Sequence, residues 1–333
     1  MRVGSIVFST HQGLGILAKS FFDNGIVTDI LIVEHSSRIN NHHWYPTPPN
    51  RSLTIDPSEL RSSELSPKIR QLIDDVDVML FFETPFDWRA ITYCRERGKK
   101  TFFMPMYECT PKVLPATPDF FICPSLLETD YFKQYPNKFI PVPVEQKWKF
   151  RGQARVFIHN AGNLGLRGRN GTLEFLSAIH LVKNQDIRFI VRAQEHLPIN
   201  IEDPRLTIEI GTQPYDSLYS SGDVFVFPEK FNGLSLPLQE AYAAGMLVMT
   251  TKRYPMTSWL PTEPMIPFLH TKRACVGASC LEFNEAIVFP KHIAETIDQW
   301  AMQDISEFSL RGLKWSEENS WRVLKQQYLE VLQ

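Results

Sequence analysis

Residues 214–250 read PYDSLYSSGDVFVFPEKFNGLSLPLQEAYAAGMLVMT. Within them, DVFVFP (223–228) is short, apolar and rich in valine and phenylalanine, so it predicts a buried strand. EKFNG is a loop. A helix then opens on Ser235, Leu236 and Pro237 and carries Glu240 just past its first turn. Pro237 suits an early helical position, where no amide partner is needed. The small-residue run AYAAG brings the helix to its end, and LVMTT (247–251) is a second strand. Strand, helix and strand in one stretch predict two parallel strands with a helical crossover. The amides of Gly233, Leu234 and Ser235 stand where a helix N-terminus favours an anion. Glu240, one turn farther on, raises the question of what an acid would face there.

The same alternation runs to both ends of the chain. RVGSIVFS (2–9), VTDILIVEH (27–35), VDVMLFF (76–82), KTFFMPMY (100–107) and DFFICPS (119–125) read as strands. Helical patterns lie between them at 15–25, near 64–74 and at 88–98. Around 140–155 the periodicity lapses in FIPVPVEQKWKFRGQ, which reads as a linker. A second series follows: strands at 155–162, 187–194, 206–211 and 223–228, with helices at 171–183, 214–221 and 235–245. A final helix is expected over 315–332, with Ser316 as its N-cap. Alternation of this kind predicts two doubly wound parallel sheets covered by helices on both faces. The expected domains are 1–146 and 147–314, with 315–333 as a terminal helix. Such sheets bind ligands at the carboxyl ends of their strands, in a cleft the two domains would share.

Bulk properties narrow the classes of function. The chain has 333 residues, 43% of them hydrophobic, enough for two cores. Its 35 basic and 37 acidic residues leave a formal net charge of -2, so no global field draws it to nucleic acid or an acidic membrane. The opening MRVGSIVFSTHQGLG is too short in its apolar part for a secretory signal, and no run reaches the length of a membrane span. The five cysteines are odd in number and scattered, as expected of reduced thiols in a cytoplasmic protein. Cys275 and Cys280 lack a second pair or a nearby histidine, so no metal site is expected.

The strand-end rule selects the loops that could carry chemistry. In STHQGLGILAKSFF, Gly13 and Gly15 lie between the first strand and first helix. Two readings stand: an anion loop, or a tight turn needing positive φ. His11 sits at its mouth, to serve the cleft or to hydrogen-bond the turn. In HNAGNLGLRGRNGT (159–172), Arg167 and Arg169 offer forked cations for phosphate oxygens just before a helix start. Glu83 (FFETP) and Glu108 (MYECTP) follow strands of the first half. The loop at 35–51 gathers His42, His43, Trp44 and Tyr45, a composition suited to stacking on a sugar or base. DDVD (74–77) precedes its strand and is a helix-to-strand connection, not a metal motif in the right place.

Residues 214–250 resemble the donor-binding segment of retaining GT-B glycosyltransferases, the family 4 or group 1 type. That family shows a strand, a proline, Glu-Gly-Phe-Gly and a second Glu eight positions after the first, in a small-residue helix. Here Glu240 stands for the second Glu and Asn232 for the first. Gly233 matches the next glycine, while Leu234 and Ser235 stand for Phe-Gly. GNLGLRGRNGTLEFLSA resembles the family's Gly-Arg…Lys-Gly loop for the donor diphosphate. Aligning Gly171 and Ala178 puts Asn170 on the lysine, so Arg167 or Arg169 would have to supply the cation. IEIGTQPYDSLYSSGD is similar to the base-contacting segment, which makes Thr212 and Gln213 neighbours of the nucleobase. The last helix resembles one that crosses back onto the first domain.

The resemblance implies transfer of a sugar from a nucleotide diphosphate, a UDP-sugar in preference to a GDP-sugar, to the hydroxyl of a glycan, lipid-linked or small-molecule acceptor. Glu240 would hold ribose hydroxyls, and amides and cations would stabilise the diphosphate without a metal. Glu108, near the place of a family histidine, or Glu83 would steer or deprotonate the acceptor, with His11 close by. His42, His43, Trp44 and Tyr45 would line the acceptor side. Two alternatives stand beside this reading. One is a phage-type enzyme that glycosylates hydroxymethylated bases in DNA. The other is a degenerate member that binds a nucleotide sugar without turnover, which Asn232 keeps open.

Overall fold

The computed structural model describes residues 1–45, 52–162, 168–199, 201–260 and 263–333. The chain divides into two compact units. The first comprises Met1–Val142, Gly277–Leu281 and Leu324–Gln333. Its strands are β1 (Val3–Phe8), β2 (Asp29–Val33), β3 (Ser52–Ile55), β4 (Val78–Glu83), β5 (Lys100–Pro105), β6 (Phe120–Cys123) and β7 (Asn137–Phe139). They form one parallel sheet in the order β3-β2-β1-β4-β5-β6-β7. Between them run α1 (Gly13–Asp23), α2 (Pro67–Asp75), α3 (Arg89–Glu96) and α4 (Leu126–Tyr131). Ile69, Leu72 and Ile73 of α2 meet Ile91 and Cys94 of α3 in a core that also takes Met79, Phe81 and Phe103 from the sheet.

The second unit comprises Pro143–Val276 and Glu282–Val323. Here β8 (Val156–Gly162), β9 (Arg188–Ala193), β10 (Leu206–Ile210), β11 (Val224–Phe227), β12 (Leu247–Thr251) and β13 (Met265–Ile266) form a parallel sheet. Its order is β10-β9-β8-β11-β12-β13. A hairpin of β14 (Thr271–Cys275) and β15 (Glu282–Ala286) follows. The helices are α5 (Thr172–Ile179), α6 (Leu236–Ala243), α7 (Met256–Trp259), α8 (Pro290–Trp300) and α9 (Ser306–Glu318), and the chain ends in α10 (Trp321–Leu332). On β11, Val224 and Val226 enter one apolar cluster, Phe225 and Phe227 the other. Both faces are therefore covered, and each such side chain contributes about 1.5–3 kcal/mol of burial. That is why DVFVFP shows no polar alternation. Gly312 of α9 lets that helix approach α6 closely, since a Cβ there would lie 2.3 Å from the Tyr242 carbonyl oxygen.

Several sequence expectations need correction. The expected terminal helix of 315–332 is two helices, and Ser316 lies inside α9 instead of capping it. Trp315 draws the earlier segment into helix by packing on Tyr242 and Trp259, with ring centroids 5.7 and 5.9 Å away. Asn319 then ends α9 by donating its side-chain amide to the Trp315 carbonyl at 2.9 Å. The first unit runs to Val142 and takes in Leu324–Gln333, in keeping with a terminal helix that returns to the first domain. There the Tyr328 hydroxyl donates to the Pro141 carbonyl at 2.8 Å. The expected helix of 214–221 is a single 3-10 turn, Tyr215–Ser217. Among the described residues, no helix is long and apolar enough to cross a membrane.

Candidate functional site

In the second sheet β8 has β9 on one side and β11 on the other, so the crossover direction reverses between β8 and β11. Loops leaving those two strands open a crevice at such a switch point. They are the loops ending at Gly171 and running from Pro228 to Ser235. They touch. The Lys230 amide donates to the Arg169 carbonyl at 2.6 Å. Gly171 has φ +70°, and a Cβ there would stand 2.2 Å from the Pro228 carbonyl oxygen. Only glycine satisfies both the backbone and the space.

Beneath them lies His159, wholly buried, which the sequence reading passed over. Its Nδ1 faces the Val226 carbonyl at 2.8 Å and its Nε2 the Thr172 hydroxyl at 2.8 Å. The carbonyl can only accept, so Nδ1 carries the proton and Nε2 accepts from Thr172. Burial lowers its pKa to about 4, and the ring stays neutral. It joins β8, β11 and the first turn of α5.

Glu240 is buried in α6, 8% exposed. Its two oxygens accept hydrogen bonds from the Tyr215 and Tyr219 hydroxyls, each at 2.7 Å. Burial raises its pKa, and the two phenols oppose that shift. Both tyrosines follow β10, two and six residues past Gln213. Arg151, itself buried, holds the Tyr219 segment by donating to the Tyr219 and Gly222 carbonyls at 2.9 and 2.7 Å. At the end of β8 the Asn160 side chain is buried and makes no well-aligned hydrogen bond, with the Tyr219 hydroxyl as its polar neighbour. A buried amide short of aligned partners costs about 1–3 kcal/mol and invites a ligand.

The start of α6 is organised differently from the sequence expectation. The Ser235 amide is already engaged: it donates to Asn232 Oδ1 at 2.8 Å. Ser235 has φ 48°, and its hydroxyl donates to Glu229 at 2.7 Å. Glu229, fully buried, pairs with Arg253 at 3.3 Å, and Arg253 also donates to the Asn232 carbonyl. Asn232 thus shapes the turn, while Glu229 and Arg253 bring a carboxylate and a cation that the sequence reading missed. Gly233 and Leu234 are buried in the same turn. Thr212 is exposed and Gln213 half-buried just past β10. Arg167 lies outside the described residues, and Asn170 turns its amide to the Ala161 carbonyl at 3.2 Å.

The first unit has its own switch point, between β1 and β4. Gly13 and Gly15 fall within α1 and neither has positive φ, so the tight-turn reading does not hold for them. Gly15 is required for closeness instead, because a Cβ would lie 2.1 Å from the Thr10 carbonyl oxygen. His11 meets Trp44 edge to face at 4.8 Å. His42 and His43 are exposed, while Tyr45 is enclosed at 2% exposure and packs on Phe22. Tyr45 therefore offers no open face to stack on. Residues 46–51 of that loop lie outside the described residues.

Glu83 ends β4 with φ 62°, a conformation costing about 1–3 kcal/mol and concentrated at functional sites. The Cys109 thiol donates to its carboxylate at 3.2 Å. Glu108 is 1% exposed in the turn after β5. Behind it, Glu128 accepts from the Tyr107 amide at 3.0 Å and from the Ser125 hydroxyl. Burial, reinforced by the Glu108 charge, pushes Glu128 up to about 7. Two neighbouring carboxyls with one raised pKa are a usual way to hold a proton near neutrality.

No protein-family model matches the sequence, and no curated protein is similar to it at a significant level. Solved structures are similar over nearly the whole chain. The E. coli trehalose-6-phosphate protein bound with UDP-2-fluoro glucose has a TM-score of 0.64 at 8% identity, covering 100% of this chain and 99% of that one. Anabaena Alr3699/HepE, in complex with UDP and glucose, has a TM-score of 0.64 at 11% identity, covering 100% and 99%. Sucrose-phosphate synthase from Thermosynechococcus elongatus has a TM-score of 0.60 at 12% identity, covering 99% and 98%. At such identities the likeness is one of fold, and the fold is GT-B.

Proposed function

We propose that this GT-B chain is a retaining glycosyltransferase that moves a sugar from a nucleotide diphosphate to an acceptor hydroxyl. The observation that carries the reading is the locked pair of loops at the β8–β11 switch point, with Glu240 and the buried Asn160 in the same unit. The starts of α5 and α6 bring positive dipole ends toward one region, where a diphosphate leaving group would gain charge. Glu240, each oxygen of which already accepts one phenol, accepts the ribose hydroxyls on its remaining lone pairs. Thr212 and Gln213 neighbour the base, and a UDP-sugar is the preferred donor. The structural neighbours with UDP or a UDP-sugar support this choice of ligand class.

The first unit is assigned the acceptor: the hydroxyl of a glycan, a lipid-linked sugar or a small molecule. Glu108, backed by the proton on Glu128, or Glu83 steers its hydroxyl, and His11 with Trp44 forms an edge. In this reading no divalent ion is required, since dipole ends and cationic side chains supply the positive potential. DDVD precedes β4, at the amino ends of its sheet.

The test is a panel of UDP- and GDP-sugars without magnesium. A donor at about 100 times its Kd adds about 2.7 kcal/mol and should raise Tm by several degrees. Loss of sugar from the donor, with or without an acceptor, then reports turnover. No shift with any nucleotide sugar would count against the reading. Binding without turnover would favour a degenerate member, consistent with Asn232 Oδ1 being taken up by the Ser235 amide.

A further inference from the structure

We infer that Cys109 and Cys280 are a thiol pair that an external disulfide oxidises to an intramolecular disulfide, withdrawing the Cys109 sulfur from Glu83. The cysteines of the chain fall into two kinds. Cys94 and Cys123 are wholly buried in the core of the first unit, and burial pushes both thiols up to about 12, so they hold their protons. Cys109, Cys275 and Cys280 are half-buried. Cys109 and Cys280 stand 171 residues apart in the chain, yet the fold lays their segments side by side within the first unit. Gly277–Leu281, between β14 and β15, runs antiparallel to the chain that follows the Tyr107–Cys109 turn. The Leu281 amide donates to the Thr110 carbonyl at 2.8 Å, and the Lys112 amide to the Ser279 carbonyl at 2.8 Å. Pro111 and Cys280 therefore face each other as a pair with no hydrogen bond of its own, the arrangement that brings facing side chains closest.

The two thiols meet at one corner. The Cys280 thiol donates toward the Cys109 carbonyl, 3.9 Å away. Its own amide donates to the Gly277 carbonyl at 2.9 Å, which folds the segment back on itself. The Cys109 thiol donates to the Glu83 carboxylate at 3.2 Å, and Glu83 carries the left-handed backbone at the end of β4. The reaction is exchange with a low-molecular-weight disulfide such as glutathione disulfide. Cys280, beside the exposed Ala278 and Ser279, meets the reagent first. Its thiolate attacks one sulfur of the reagent and expels the other as a thiolate. The Cys109 thiolate then attacks the Cys280 sulfur and expels the second. The two cysteine protons end on the two released thiols, and two electrons pass to the reagent. Closing the bond turns the Cys109 sulfur from Glu83 and shifts the exposed turn at Ala278 and Ser279. Glu83 thereby loses a donor that it has in the reduced chain. The disulfide needs nothing of the nucleotide-sugar reading. Only its consequence for the acceptor, through Glu83, rests on that reading.

The test treats the reduced full chain, without nucleotide, with glutathione disulfide, then blocks the remaining thiols under unfolding conditions and maps the peptides by mass spectrometry. The Cys109 peptide should be found joined to the Cys280 peptide, with Cys94, Cys123 and Cys275 carrying the blocking group. The cross-link closes a long loop, so Tm should rise by several degrees and fall back on reduction. Cys275→Ser should keep both the cross-link and the rise, and Cys280→Ser should lose both. Should the serine variants misfold, the map of the unaltered chain decides by itself. A map with Cys275 joined to Cys280, with glutathione mixed disulfides alone, or with every cysteine carrying the blocking group overturns the assignment. No nucleotide enters the experiment, so its failure leaves the proposed function standing, and failure of the donor titrations leaves the thiol pair standing.

Discussion

Glu240→Gln separates support of the fold from recognition of a donor. In the structure each carboxylate oxygen accepts one phenol, from Tyr215 and Tyr219, at 2.7 Å. Glutamine keeps the shape. Its amide oxygen accepts one phenol, and its NH2 can donate to the other once that hydroxyl turns. The loss in stability is then about 1 kcal/mol, a fall of a few degrees in Tm. Donor binding should lose more. Hydrogen bonds to a charged group contribute about 1.5–3 kcal/mol, against about 0.5–1.5 for neutral ones. Two ribose hydroxyls each losing about 1 kcal/mol give about 2 kcal/mol, roughly a 30-fold weaker Kd. Calorimetric titration with UDP and 2′-deoxy-UDP reads this directly. The unaltered chain should discriminate strongly between the two nucleotides, and the variant should hardly do so. A variant that binds UDP as tightly as its parent, with undiminished discrimination, would reduce Glu240 to a tie between α6 and the two tyrosines.

Gly171→Ala should be among the most damaging single changes in the second unit. It sets a Cβ 2.2 Å from the Pro228 carbonyl oxygen at φ +70°, so about 2–3 kcal/mol or more should be lost in urea unfolding, together with UDP binding. His159 predicts a pH dependence. Its pKa falls from 6.5 to about 4 on folding, so between those values the unfolded chain takes up a proton that the folded chain refuses. The neutral ring is accommodated in full above 6.5, and stability drops as pH falls toward 4, by up to about 3 kcal/mol. The difference in unfolding free energy between the parent and His159→Gln should carry that slope, and a flat difference would refute the buried neutral ring. Glu128 acts oppositely: raised to about 7, it contributes most at low pH, and its contribution fades as pH rises through 7. The difference between the parent and Glu128→Gln should therefore shrink as pH climbs from about 5 to 8.

The double series of sheets was legible because strands covered on both faces are written as unbroken apolar runs, as DVFVFP is. The loops at strand ends were legible for the same reason, since a parallel sheet sends every loop after a strand to one edge. What the sequence hid was partnership across loops. Tyr215 and Tyr219 stand four apart, a spacing that could have been read as two side chains aimed alike, but nothing in it named Glu240. Glu229 follows Pro228 directly and reads as a solvated loop acid until Arg253, past β12, is seen beside it. The Asn232–Ser235 hydrogen bond could not be foreseen either, because it depends on the left-handed backbone at Ser235. At the carboxyl terminus, Ser316 resembled a helix start only because the pull of Trp315 on Tyr242 is a contact between distant segments.

The central claim is that the second unit holds a nucleoside diphosphate between the starts of α5 and α6. Calorimetric titration of the full chain with UDP and GDP, with divalent ions removed by chelator, addresses it most directly. The account predicts saturable one-to-one binding of UDP, tighter than GDP, that weakens on Glu240→Gln. Titrations showing no heat and no saturation with either nucleotide, on protein that melts cooperatively, would contradict it.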